Sequence, residues 1–363
     1  VVIGIVIASS GGDDETTTTT VAAGETTTTA AETTTTAGET TTTAEGETTT
    51  TEAGETTTTT AAPAEAMRIA VVAPSASNDL AFTQSIVDAV AVIADEFGIP
   101  SENVAITDGT FVVEDAASAI RDYASEGYDL VIAHGSQYGG SLSEIAQDFP
   151  ETSFAWGTAA DTFGAPNVFA YEAASDEGGY VMGKMAAALT TSNTIGIVGP
   201  VEVGDAKLYV DGFKNGAEAD DSGATVNVNY TGDFSNVQLA SEAASAHIAA
   251  GADVLSGTAQ MVVGAISVAD DAGVPWFGTQ ANQSSLAPDI VVASQVYKWE
   301  VVLRDILAQM DGGTLGGTTY VINFENGGLV LEYNDAYPLP DEVKALADQV
   351  IADIISGAIT PTG

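Results

Sequence analysis

From Met67 onward, short apolar runs alternate with longer stretches in which apolar residues recur every three to four positions. The first pair sets the pattern. Arg68 to Ala73 is a β-type run, Pro74 to Asn78 is turn chemistry, and helical periodicity starts at Asp79; Ile86, Val90, Ile93 and Phe97 then share a face until Gly98-Ile99-Pro100 stops it. Further strands are predicted at 104–107, 130–134, 153–156 and 168–171, with helices over 115–125 and 141–148. A long helix over 176–189, apolar along Met182, Met185 and Leu189, opens a second series. Its strands fall at 194–198, 225–230, 252–255, 274–278 and 290–293, and its helices at 206–219, 238–250 and 262–272. A helix over 298–310 follows, then a hairpin-like pair at 319–324 and 329–333 joined by Glu325-Asn326-Gly327-Gly328, then a helix over 341–355.

Such alternation predicts an α/β protein with parallel doubly wound sheets in two lobes joined by a hinge. The expected division puts 67–172 with 297–340 in the first lobe and 173–296 with 341–363 in the second. In sheets of this kind ligands sit at the carboxyl ends of the strands, so residues 74–84 mark a candidate site and the cleft is expected between the lobes.

Residues 1–66 break the pattern. Six runs of four or five threonines lie between positions 16 and 60, separated by Ala, Gly and Glu with a single Val. Such a segment buries too little apolar surface to offset its ordering entropy, so 11–66 is expected to be a disordered linker, of a composition that also suits a glycosylated stalk. Val1 to Ala8 is apolar and precedes Ser9-Ser10-Gly11-Gly12, like the tail of a signal peptide or lipoprotein signal with Ser10 where a lipidated Cys would stand. An exported protein, at the cell surface or in the periplasm and tethered through its N-terminus, is the expectation.

The formal net charge is −43, and residues 67–363 carry 40 acidic against 8 basic side chains. A field of that sign repels phosphate backbones, which excludes a nucleic-acid binder. With no cysteine in the chain, disulfides and thiolate metal sites are excluded too. His134 and His247 have no partners at metal or triad spacing, so no cofactor, metal or catalytic residue is expected. His134, ending an apolar run, reads as a structural or ligand-facing polar group, and His247 as a helix-surface residue.

Loops after the predicted strands are instead rich in aromatic and amide side chains: Asn78, Asp79, Phe82, Gln84, Gln137, Tyr138, Trp156, Tyr209, Gln260, Asn282, Gln283 and Trp299. Flat rings with neutral hydrogen-bonding groups suit a nucleobase or a sugar, although Trp156 and Trp299 read equally well as packing anchors.

Five stretches, taken together, resemble the basic membrane protein family of ABC-transporter substrate-binding lipoproteins, whose characterised members bind purine nucleosides. They are Asn78-Asp79-Leu80-Ala81-Phe82-Thr83-Gln84; Tyr128-Asp129-Leu130-Val131-Ile132-Ala133-His134-Gly135; Glu177-Gly178-Gly179-Tyr180-Val181-Met182-Gly183; Ile195-Gly196-Ile197-Val198-Gly199 with Asp211-Gly212-Phe213; and Gly251-Ala252-Asp253-Val254 with Gln283-Ser284 and Ala287-Pro288-Asp289. The resemblance implies the two-lobed type I periplasmic-binding-protein fold. It implies that Phe82 and Tyr209 stack on a base from opposite lobes and that Asp79 bonds the ligand or holds its loop; Asn78, Thr83, Gln280, Asn282, Lys298 and Trp299, at or beside the family's positions, and Gln137, Tyr138 and Gln260, from the loops named above, complete the expected site. The chain departs from the family where an Asp-Asp pair is Asn78-Asp79, where Asn is Thr83, and where Asp-x-Asp-Gln is Gln280-Ala281-Asn282-Gln283; Lys298 stands one residue further along than the family's Lys.

These implications describe a monomeric receptor, not an enzyme, that takes a small polar ligand to ABC permease subunits. A surface receptor that signals occupancy is the alternative.

Overall fold

The computed structural model describes residues 66–219 and 222–362. The expected signal-like segment and, but for Ala66, the threonine-rich linker lie outside them.

Two six-stranded sheets carry the described chain, and they share one strand order. In the first, β1 (Ile69–Val72), β2 (Val104–Thr107), β3 (Leu130–His134), β4 (Ser153–Gly157), β5 (Val168–Ala173) and β11 (Thr319–Ile322) run in the order β2-β1-β3-β4-β5-β11, all parallel. The second has β6 (Thr194–Gly199), β7 (Thr225–Tyr230), β8 (Val254–Gly257), β9 (Trp276–Gln280), β10 (Val291–Tyr297) and β12 (Leu329–Tyr333) in the order β7-β6-β8-β9-β10-β12, parallel except for β12.

Both faces of each sheet are covered, which is why β1 and most of β3 read as continuous apolar runs rather than alternating ones. Along β1, Ile69, Val71 and Ala73 join a core that includes Ile86, Val90 and Ile93 of α1 (Phe82–Phe97) and Ile306 of α8 (Glu300–Asp311). Ala70 and Val72 face the other way, onto Ile120 of α2 (Val113–Ser125) and Leu142 of α3 (Gly139–Asp148). In the second lobe α6 (Val237–Ala249) and α7 (Val263–Ala272) cover one face, and α4 (Ser175–Leu189), α5 (Gly204–Glu218) and α9 (Asp341–Ile355) the other.

The expected hairpin at 319–333 is not formed. β11 extends the first sheet beside β5, whereas β12 pairs antiparallel with β10 in the second. Asn326 still builds a turn, its Oδ1 accepting from the Gly328 N–H at 2.9 Å and the Asn323 N–H at 3.1 Å. Each sheet, however, has an open edge to complete, and pairing those edges satisfies more backbone than a two-stranded ribbon could. The chain therefore passes between the sheets three times, after β5, after β10 and after β11. His247, expected on a helix surface, is buried, and its Nε2 hydrogen-bonds the Ile197 carbonyl of β6 at 3.1 Å.

α4 and α5 meet almost backbone to backbone. A Cβ on Gly183 would overlap the Phe213 carbonyl oxygen, and one on Gly216 the Tyr180 carbonyl. This gives the Glu177 to Gly183 motif a packing reason. Gly183→Ala should lower stability by about 1–3 kcal/mol in a denaturant titration, the usual cost of overpacking; an unchanged midpoint would mean that the helices part freely.

Candidate functional site

Each sheet reverses its winding at the junction of its first and third strands, β1/β3 in one lobe and β6/β8 in the other, and a crevice opens beyond the carboxyl ends at such a junction. The loops that leave those strands line a single cleft of about 340 Å³. The first lobe contributes Pro74 and Phe82 after β1, Phe111 and Val113 after β2, Ser136 and Gln137 after β3, and Thr158 after β4. From the second come Val203 to Ala206 after β6, Phe234 after β7, Ala259 and Gln260 after β8, and Gln280 at the end of β9.

The β1 loop is held by Asp79. Its carboxylate accepts from the Ser75 hydroxyl at 2.6 Å and from the backbone N–H groups of Ala81, Thr83 and Gln84 at 2.9, 3.1 and 3.1 Å. Those are donors the start of α1 would otherwise leave unpaired, so Asp79 holds the loop. Thr83 is buried, its Oγ1 accepting from the Ser75 N–H, and Asn78 is exposed outside the cleft.

The ring of Phe82 lies on the imidazole of His134, with centroids 4.1 Å apart and planes 24° from parallel. His134 is fully buried; its Nδ1 is 2.7 Å from the Tyr171 hydroxyl and its Nε2 is 3.3 Å from the Phe82 carbonyl. A carbonyl can only accept, so Nε2 carries the proton and Nδ1 accepts from Tyr171. Burial pushes the imidazole pKa down to about 3, which keeps the ring neutral. Phe82 thus rests on an uncharged, twice-bonded plate.

Of the other expected site residues, Gln137, Gln260 and Gln280 join Phe82 in the cleft, and four aromatic or charged ones do not. Tyr209 is fully buried in the second lobe and bonds the Ser256 hydroxyl at 2.6 Å. Tyr138 is also fully buried and donates to the Thr110 carbonyl at 2.8 Å. Trp299 is core, its Nε1 donating to Ser85 Oγ at 2.9 Å while its ring meets Tyr171 edge-on. Lys298 and Asn282 both reach Glu332, at 3.0 and 2.7 Å, and line a separate cavity of about 250 Å³. Trp156 stacks on Phe163 at 4.7 Å, outside the cleft. Gln84 caps the Leu80 N–H, and Gln283 ties the lobes together by donating to the Leu80 carbonyl at 3.3 Å.

Among the lining residues that the sequence reading does not name, Phe111, Phe234 and Asp205 carry the most chemistry. Each phenylalanine stands four residues beyond the second strand of its lobe, Phe111 after Thr107 and Phe234 after Tyr230. That internal correspondence was the available signal. Ala259 and Gln280 hold left-handed backbone, at φ 75° and 72°, conformations that bulky residues keep only under constraint and that concentrate at binding sites.

A family model described as ABC transporter substrate-binding protein, PnrA-like (Bmp), matches residues 66–359. The chain is 28% identical over 247 residues to a purine-binding protein of Brucella abortus, a match that covers 68% of this chain and 69% of that protein. It is 27% identical over 256 residues to the ABC transporter nucleoside-binding protein BmpA of Lactococcus lactis, covering 65% and 71%. Among solved structures, an ABC transporter solute-binding protein from Conexibacter woesei superposes with a TM-score of 0.68 at 26% identity, covering 81% of this chain and 98% of that one.

Proposed function

The chain belongs to the Bmp family of PnrA-like ABC transporter substrate-binding proteins, and from that premise we propose that it captures a purine nucleoside, or a closely related uncharged compound, for delivery to a membrane permease. Proteins of this family bind solute and transform nothing. The observation that carries the reading is the composition of the cleft: three phenylalanines (Phe82, Phe111, Phe234) and three glutamines (Gln137, Gln260, Gln280) from loops of both lobes. Apolar ring faces suit a flat base, and neutral amides can donate or accept along its edges and to sugar hydroxyls. Phe82 from the first lobe and Phe234 from the second are the stacking pair in this reading.

Mechanism follows from the connections. Three crossings join the lobes, so closure is a hinge motion, and a ligand touched from both sides favours the closed form by the contacts it makes only there. The permease would respond to that form. Export, and a tether through the N-terminal segment, complete the proposal.

Melting of the full chain in the presence of nucleosides, nucleobases and sugars tests it. A nucleoside at 100 times its Kd should add about 2.7 kcal/mol of stability. The absence of a shift with every nucleoside, against a clear shift with a sugar, would overturn the assignment.

A further inference from the structure

Asp205 is the only charged side chain among the described residues that line the cleft. It sits in the first turn of α5, and its surroundings are built to hold it: the Tyr297 hydroxyl is within reach of the carboxyl, the backbone N–H of Ala206 bonds it, and Ser175 Oγ donates to its backbone carbonyl at 2.6 Å. One carboxylate oxygen, Oδ2, is closed off from solvent and has no hydrogen-bond partner. Gln280 repeats the situation from the end of β9. Its side chain is 3% exposed, its backbone is held at positive φ, and its Oε1 has no partner either. Gln280 also lines the neighbouring cavity together with Tyr297, the residue whose hydroxyl reaches Asp205.

A buried carboxylate oxygen or amide oxygen left unbonded costs free energy comparable to a lost hydrogen bond, and more where charge is involved. Two such acceptors in one cleft are explained if a ligand supplies the missing donors. We propose that Asp205 and Gln280 are specificity-determining residues, an acceptor pair that requires the ligand to present two O–H or N–H donors and that excludes anionic ligands.

This inference rests on the nucleoside reading, and it adds two things to that reading. The first is a carboxylate on α5 that contacts the ligand. The second is discrimination by charge: a phosphorylated nucleoside would bring its negative charge to a site that already holds one, in a folded region with 40 acidic against 8 basic residues. The donors could be the hydroxyls of a sugar or the ring and exocyclic N–H groups of a base. Both satisfy the same oxygens.

Ionisation gives the pair a signature. Burial raises the Asp205 carboxyl to about 6, against the hydrogen bonds it accepts, and the nearby Glu172 carboxylate raises it further. Glu172 is itself raised by burial, and Tyr297 faces Asp205 as a neutral hydroxyl. A ligand that donates to the carboxylate favours its ionised form, so affinity should fall as the pH drops below about 6 and Asp205 takes up a proton.

The test is calorimetric titration of the full chain and of Asp205→Asn with inosine, its 2′,3′-dideoxy form, hypoxanthine and inosine 5′-monophosphate, at pH 7.5 and 5. In the wild type, inosine should bind far more tightly than its monophosphate, and less tightly at pH 5. Asp205→Asn should weaken inosine by about 10- to 100-fold, the worth of a charge-assisted bond. It should also narrow the gap to the monophosphate, remove the pH dependence, and leave the melting temperature of the ligand-free protein unchanged or raised, since an unsatisfied charge has gone. Gln280→Met should weaken binding without altering the pH dependence. A penalty at Asp205→Asn that is lost with dideoxyinosine identifies the sugar hydroxyls as donors; one that persists with hypoxanthine identifies the base. Wild-type affinity and pH dependence in Asp205→Asn would overturn this inference and leave the nucleoside reading standing, whereas no binding of any nucleoside to the wild type would overturn both.

Discussion

Tyr209→Ala should cost about 3–5 kcal/mol of folding stability, and Phe234→Ala much less, while their effects on ligand affinity run the other way. Tyr209 is fully buried on α5. Its ring lies 6.0 Å from that of Phe213, and its hydroxyl donates to Ser256 Oγ, which itself donates to the Phe277 carbonyl at 2.9 Å. Truncation therefore removes a large aromatic from a closed core and leaves a buried serine short of a donor, and both terms have the same sign. Phe234 is only partly buried, and its ring borders the cleft. Its loss should weaken a stacked base by about 1–3 kcal/mol, roughly 5- to 150-fold in Kd, with little change in melting. Denaturant titration and calorimetry on the two variants separate the roles. Equal loss of affinity in both would restore Tyr209 to the site.

Why the sequence misplaces Tyr209 is instructive. Aromatics shortly after a strand look alike whether they close the core or open onto the cleft, and depth along the helix decides between them. Asp205 and Ala206 start α5 at the cleft wall; Tyr209, on the same face but about 5 Å further along the helix, lies behind that wall against Ser256 of β8. Trp299 is the same kind of case, carried into the core of the first lobe at the beginning of α8, where Ser85 satisfies its N–H.

Lys298 and Asn282 were misread for a different reason. Their partner, Glu332, stands on β12, and which sheet β12 joins depends on a long-range pairing that local pattern does not contain. By contrast the strand and helix phases were legible almost throughout. β2, β3 and β7 fall where alternation of apolar runs and turns puts them, β3 as a fully buried strand and β2 and β7 as the edge strands beside β1 and β6. Phe111 and Phe234 were legible only by comparing the two lobes with each other, since edge-strand loops carry no periodicity of their own.

The largest pH effect should come from His134. An ordinary imidazole titrates near 6.5, and this one, buried without a charged partner, near 3. The folded protein therefore declines a proton that the unfolded chain accepts. The stability that follows is fully present above pH 6.5 and is lost as the pH falls from 6.5 toward 3, on the order of 5 kcal/mol in all. Asp205 acts with the opposite sign. Its raised carboxyl contributes stability below about pH 4 and loses it as the pH rises through 6, so acidification of the wild type mixes a loss at one residue with a gain at the other.

Comparison with His134→Gln removes the mixture. At pH 7 the variant should be clearly less stable, because it forfeits the Phe82 stack and the Tyr171 hydrogen bond. By pH 4 the difference should have narrowed by roughly 3 kcal/mol, since glutamine has no proton to refuse. Denaturant titrations of both proteins at the two pH values measure this directly, and a gap that stays constant would mean that the imidazole is protonated or solvated in the native state. The plate under Phe82 would then carry charge or yield to water. The cleft would lose its fixed aromatic wall on that side, and ligand affinity should fall over the same pH range.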